Sequence, residues 1–110
     1  MMRQINLNEI TPKEIAPGYS ARFIHTDNMT FSHLEVKAGS VIAEHSHPHE
    51  QVCHIYEGKF QLTIEGVPVV FEPGTVIAIP SNAKHSGLAL TDCKLMDVFY
   101  PVREDYKNLS

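Results

Sequence analysis

The chain has 110 residues, 43% of them hydrophobic and 20% charged, with nine Lys plus Arg against 13 Asp plus Glu for a net charge of -4. That size and mix fit one folded domain and exclude a disordered chain. An acidic balance without a basic patch excludes nucleic acid as a partner. Reading along the chain, residues 1–6 lack the apolar core of a secretory signal, and the expected location is the cytoplasm. Residues 21–25 predict a strand, a turn follows at 26–28, and 30–36 alternates as a second strand. Residues 51–56 predict the next, 60–64 alternates with period two, and Glu65-Gly66 turns the chain into 67–71. Glu72-Pro73-Gly74 turns it again into 75–79, and 94–100 is the last predicted strand. No window holds a 3.6-residue period, and no apolar run is long enough to span a membrane. Many short strands punctuated by Gly and Pro predict an all-β sandwich or barrel.

Strand parity assigns faces. Phe60, Leu62 and Ile64 point to the core. If Ile55 is core, then Gln51 and Cys53 point inward with it. Leu95, Asp97 and Phe99 share a face, which directs a carboxylate between two apolar side chains. Such a group is costly unless it is paired or used. Two cysteines, Cys53 and Cys93, make no disulfide framework, and Cys53 reads as a small buried hydrophobe.

Seven histidines are present, and His45, His47, His49 and His54 crowd one short stretch. In extended chain His45 and His47 project from one face about 6.7 Å apart, so both rings can reach one ion. Gln51 follows, and His85 comes later, after Pro80. Three neutral imidazoles and an amide oxygen suit one divalent transition metal ion, such as Zn, Ni, Fe or Mn, with open positions for substrate. His49 follows a proline and reads as a residue of the barrel mouth. His54 has the parity opposite to Gln51, and His25 and His33 read as ordinary strand residues.

Gly39-x5-His45-x-His47-x3-Gln51-x6-Gly58 and Gly74-x5-Pro80-x-Asn82-x2-His85 resemble the two cupin motifs. The resemblance implies a single-domain jelly-roll β-barrel over residues 1–110, with its core at about 20–100 and with terminal extensions packed on it or on a partner. It carries the metal ligands over to His45, His47, Gln51 and His85. Three positions depart from the usual pattern: Gln51 stands where Glu is common, Asn82 where Gly is, and Ala89 where Asn is. A neutral Gln51 leaves the ion its full charge, so the ion should bind less tightly and attract an anionic substrate more strongly.

Taken with Asp97, Phe99 and Arg103 in the stretch 95–106, the chain resembles the small pectin-degradation cupins. Those enzymes linearise 4,5-unsaturated monouronates from pectin or alginate to 5-keto-4-deoxyuronate. The resemblance implies Asp97 as the acid–base group, Arg103 as the binder of the uronate carboxylate and Phe99 as an apolar wall. Cys53-His54 stands where relatives more often carry Gly-Tyr. Two alternatives remain open, a metal-dependent oxygenase and a non-catalytic sugar-binding cupin. The expected partners are a small anionic sugar and a second copy of the chain, since a small domain with exposed sheet edges favours dimerisation.

Overall fold

The computed structural model describes residues 2–109. After a short 3-10 helix at Leu7–Glu9 come β1 (Lys13–Ala16), β2 (Tyr19–His25), β3 (Thr30–Val36), β4 (Val41–His45) and β5 (Glu50–Glu57). Then follow β6 (Phe60–Ile64), β7 (Val67–Phe71), β8 (Val76–Ile79), β9 (His85–Ala89), β10 (Cys93–Tyr100) and a helix, α1 (Glu104–Lys107). The strands form two antiparallel sheets, β1-β2-β3-β10-β5-β8 and β4-β9-β6-β7. The fold class is all-β, as predicted, and the predicted strands lie within one or two residues of β2, β3, β5, β6, β7, β8 and β10.

Alternation explains the six-stranded sheet. Thr30, Ser32, Leu34 and Val36 of β3 are buried, as are Gln51, Cys53 and Ile55 of β5 and Leu95, Asp97 and Phe99 of β10. Register then lines these residues up in rungs across β3, β10 and β5. One rung is Leu34, Leu95 and Ile55; the next is Ser32, Asp97 and Cys53; the third is Thr30, Phe99 and Gln51. The first rung is wholly apolar and packs in one core cluster with Phe60 and Leu62 of the facing sheet. The other two carry polar groups, and the interior therefore changes from a dry core to a polar pocket along the length of the strands.

Turn chemistry closes the elements. Glu65 and Gly66 both take left-handed φ, +48° and +77°, the backbone of the tight hairpin turn between β6 and β7. Gly58 has φ +88°, and a Cβ there would collide with the Asp92 carbonyl oxygen, so the β5–β6 turn admits only glycine.

Both terminal segments lie on the barrel. Arg3 donates through Nη2 to the His25 carbonyl at 2.6 Å, and Arg22 donates through Nε to the Ile10 carbonyl at 3.1 Å. The Tyr106 ring packs on Phe23 and Phe99, with centroids 4.8 and 5.7 Å away.

Candidate metal centre and acid pocket

His45 is the last residue of β4 and pairs in register with His85, the first residue of β9. The chain leaves the strand after His45, so His47 lies in the following loop and not on the extended face that its spacing predicts. A second turn recovers the convergence. Asn82 adopts φ +65°, and its backbone N–H donates to the His47 carbonyl at 2.8 Å. Asparagine tolerates that left-handed conformation better than most residues. The segment before His85 is thereby tied to the loop that carries His47.

The three rings meet. Centroids lie 4.3 Å apart for His45 and His85, 4.9 Å for His47 and His85, and 5.7 Å for His45 and His47. One ligand nitrogen from each falls within 4.8 Å of the others. The orientation is fixed from behind. Each Nδ1 lies against a backbone carbonyl: His45 against Ala43 at 2.9 Å, His47 against His49 at 3.0 Å, and His85 against Ala83 at 2.8 Å. A carbonyl only accepts, so each Nδ1 carries a proton and Nε2 is the nitrogen left to ligate.

Burial holds the inner rings neutral. Desolvation, reinforced by Arg103 and His85, pulls His47 down to about 4. Desolvation also lowers His85, against the hydrogen bond to the Ala83 carbonyl.

This donor set fits a divalent transition metal ion on its own chemistry. His85 Nε2 is buried without a hydrogen-bond partner among the described residues. His47 Nε2 faces Gln51 Oε1 at 3.2 Å, two lone-pair groups turned toward each other, which a shared cation would reconcile. His45 is exposed while His47 and His85 are buried, so the centre opens to solvent on one side.

The acid pocket adjoins it. One cavity is lined by His45, His85, Gln51, Asp97, Phe99 and Arg103. Asp97 is 8% exposed, and its Oδ1 is buried without a hydrogen-bond partner among the described residues. Desolvation raises its carboxyl above the usual range, while hydrogen bonding from Cys53 and Gln51 and the charge of Arg103 pull it back.

Arg103 lies just before α1, and its backbone N–H donates to Thr30 Oγ1 at 2.9 Å. It is 7% exposed. Its guanidinium stacks 3.9 Å from the Tyr106 ring centroid and 4.8 Å from that of Phe99. One edge of the fork is already engaged, with Nε and Nη2 donating to Asp105 at 2.9 and 2.7 Å. Nη1 is left buried and without a hydrogen-bond partner among the described residues.

The sequence alone leaves Asp105, Tyr106 and Ser32 unassigned. Ser32 lines the same cavity and shares its parity with Leu34 on a strand the sequence does predict, so alternation alone could have found it. Asp105 carried a weaker signal, an acid two positions after an arginine. The other histidines stay outside. His49 lends its carbonyl to His47, His54 stacks on Tyr56 with centroids 6.2 Å apart, and His25 Nδ1 lies 2.9 Å from Thr30 Oγ1. Cys53 and Cys93 are free and buried.

Comparison with known proteins agrees with this fold. The cupin domain family model matches residues 32–99. The pectin degradation protein KdgF of Dickeya dadantii (strain 3937) is 26% identical over 109 residues, covering 96% of this chain and 99% of that protein. The structure of KdgF from Halomonas sp. superposes with a TM-score of 0.90 at 25% identity, covering 96% of this chain and 99% of that one. An RmlC-like cupin from Shewanella frigidimarina NCIMB 400 shares the fold with a TM-score of 0.89 at 23% identity over 96% of each chain. With its family match spanning most of the barrel and both motif segments meeting at one centre, the chain belongs to the cupin domain family.

Proposed function

We propose that this cupin linearises 4,5-unsaturated monouronates, released from pectin or alginate, to 5-keto-4-deoxyuronate. One observation carries the reading. A chain similar over nearly its whole length to a pectin degradation protein gathers three imidazoles at one centre, and two of them line a cavity together with a buried carboxyl and a buried guanidinium.

The substrate is an anionic cyclic enol ether. Its opening needs a proton at C4, a water oxygen at C5, and collapse of the hemiketal so formed with cleavage of the bond between C5 and the ring oxygen. The ring oxygen then belongs to a hydrate at C1, which releases water to give the aldehyde. Asp97 is the acid–base group: burial raises its carboxyl above the usual range and so favours the protonated form, which can give its proton to C4 and then accept one from the adding water. The free Nη1 of Arg103 holds the uronate carboxylate, with Asp105 fixing the plane of the fork. Phe99 forms an apolar wall between Arg103 and the His47 ring. His45, His47, Gln51 and His85 hold a single divalent transition metal ion, which supplies electrostatic attraction and Lewis acidity for substrate oxygens.

The same reading makes the protein a cytoplasmic homodimer. Two buried free thiols suit a reducing compartment. The edge strands β7 and β8 expose Val67, Val69, Val70 and Val76, apolar side chains that a second copy would cover.

The test is direct: incubate the protein with an unsaturated monouronate and follow the ultraviolet absorbance of the double bond, with and without oxygen. Loss of absorbance at equal rates in both supports linearisation. Oxygen-dependent loss would support an oxygenase, and binding without loss a sugar-binding protein.

A further inference from the structure

Along β3 the inward positions are Thr30, Ser32, Leu34 and Val36, all buried. Leu34 and Val36 belong to the apolar core. Thr30 uses its hydroxyl, accepting from the Arg103 backbone and meeting His25 Nδ1, both at 2.9 Å. Ser32 does not. It is 1% exposed, and its Oγ has no hydrogen-bond partner among the described residues. A buried hydroxyl without a partner costs stability, and alanine would fill nearly the same space without that cost.

Its neighbours explain the cost. Ser32 is directly opposite Asp97 in the β3–β10 register, a placement that brings the two Cβ atoms to roughly 5 Å. Asp97 Oδ1 is also without a hydrogen-bond partner among the described residues, and so is Arg103 Nη1. All three residues line one cavity. A hydroxyl, a carboxyl and a guanidinium, each with unmet hydrogen-bonding capacity, form a set complementary to a small molecule that carries hydroxyls and a carboxylate. A purely structural serine would instead bond to the protein, as Thr30 does.

We infer that Ser32 is a substrate-recognition residue whose hydroxyl hydrogen-bonds a ring hydroxyl of the sugar acid and holds the ring against Asp97. The inference rests on the uronate reading above and adds a specificity determinant to it. A site built to bond a substrate hydroxyl discriminates strongly against analogues that lack it, because the buried protein group is then left unpaired.

The experiment pairs thermal melts of the parent and Ser32→Ala, without substrate, with steady-state kinetics of both on a 4,5-unsaturated monouronate. Ser32→Ala should melt at or above the parent temperature. It should raise KM about tenfold or more, with a smaller change in kcat, as for a lost substrate hydrogen bond. A lowered melting temperature with unchanged KM would make the hydroxyl structural and overturn the inference alone. If the parent and the variant both fail to bind or convert the uronate, the uronate reading falls and this inference falls with it.

Discussion

Asp105 grips Arg103 from only two residues away, with Nε to Oδ1 at 2.9 Å and Nη2 to Oδ2 at 2.7 Å. The acid is largely exposed and the arginine largely buried, so the pair holds a charged group in a pocket without neutralising its inner edge. Asp105→Ala should free the guanidinium to turn away from the cavity. Hydrogen bonds to charged groups contribute roughly 1.5–3 kcal/mol, so KM for the uronate should rise about 10–100-fold, with kcat much less affected. Steady-state kinetics decide this, and an unchanged KM would remove Asp105 from any positioning role.

Metal removal should cost stability. A ligand bound only by the folded state stabilises by about 2.7 kcal/mol at a hundred times its dissociation constant. In a domain this small that is a shift on the order of 10 °C. Chelator-treated protein should therefore melt lower than protein reloaded with a divalent ion. His85→Ala should abolish the difference, because His85 Nε2 is the buried donor with no other partner. A variant that still gains stability from the ion would exclude His85 as a ligand.

Asp97→Asn should separate catalysis from stability. General acid–base steps contribute about 10²–10⁴-fold, and turnover should fall by that order while metal content holds. The raised folded pKa fixes the sign on stability. A carboxyl whose pKa is higher folded than unfolded favours folding below the unfolded value of about 3.9 and loses that contribution as pH rises through the folded value. At neutral pH the buried carboxyl is therefore destabilising. Asp97→Asn should melt higher at pH 7, and its advantage should shrink as the pH approaches 4. Melting curves across that window check the sign, and full turnover by the variant would end the acid–base role.

How much of this was legible in the sequence depended on burial. Strands with one face in the core, such as β3, β6 and β10, write their alternation into the chain. β4 does not, because four of its five residues are exposed and packing imposes no pattern on them. β9 holds Ser86 and Gly87 near its middle, and β1 carries Lys13 and Glu14, so neither reads as a run of strand-forming residues. At the centre, the spacing of His45 and His47 pointed to a shared ion, but the reason for their convergence lay elsewhere, in the left-handed Asn82 and its bond to the His47 carbonyl. The bond from the Arg103 backbone to Thr30 and the placement of Ser32 opposite Asp97 depend on segments far apart in the chain, which periodicity within one strand does not carry.

Gln51 occupies the junction of the two halves of the site. Its Oε1 faces His47 Nε2 at 3.2 Å, and its side chain hydrogen-bonds toward Asp97 and lowers that carboxyl. An amide does both tasks because it accepts through oxygen and donates through nitrogen. A carboxylate could do only the first. Gln51→Glu places a negative charge beside the ion, which should tighten metal binding, and beside Asp97, which should raise the Asp97 pKa further and oppose an anionic substrate. Three readouts should move together: a chelator must be more concentrated to strip the ion, KM for the uronate should rise, and the pH at which turnover falls on the alkaline side should shift upward. Competition titration with a chelator and a pH–rate profile measure all three. Unchanged metal affinity with unchanged KM would exclude Gln51 as a ligand and as the link between the ion and the acid.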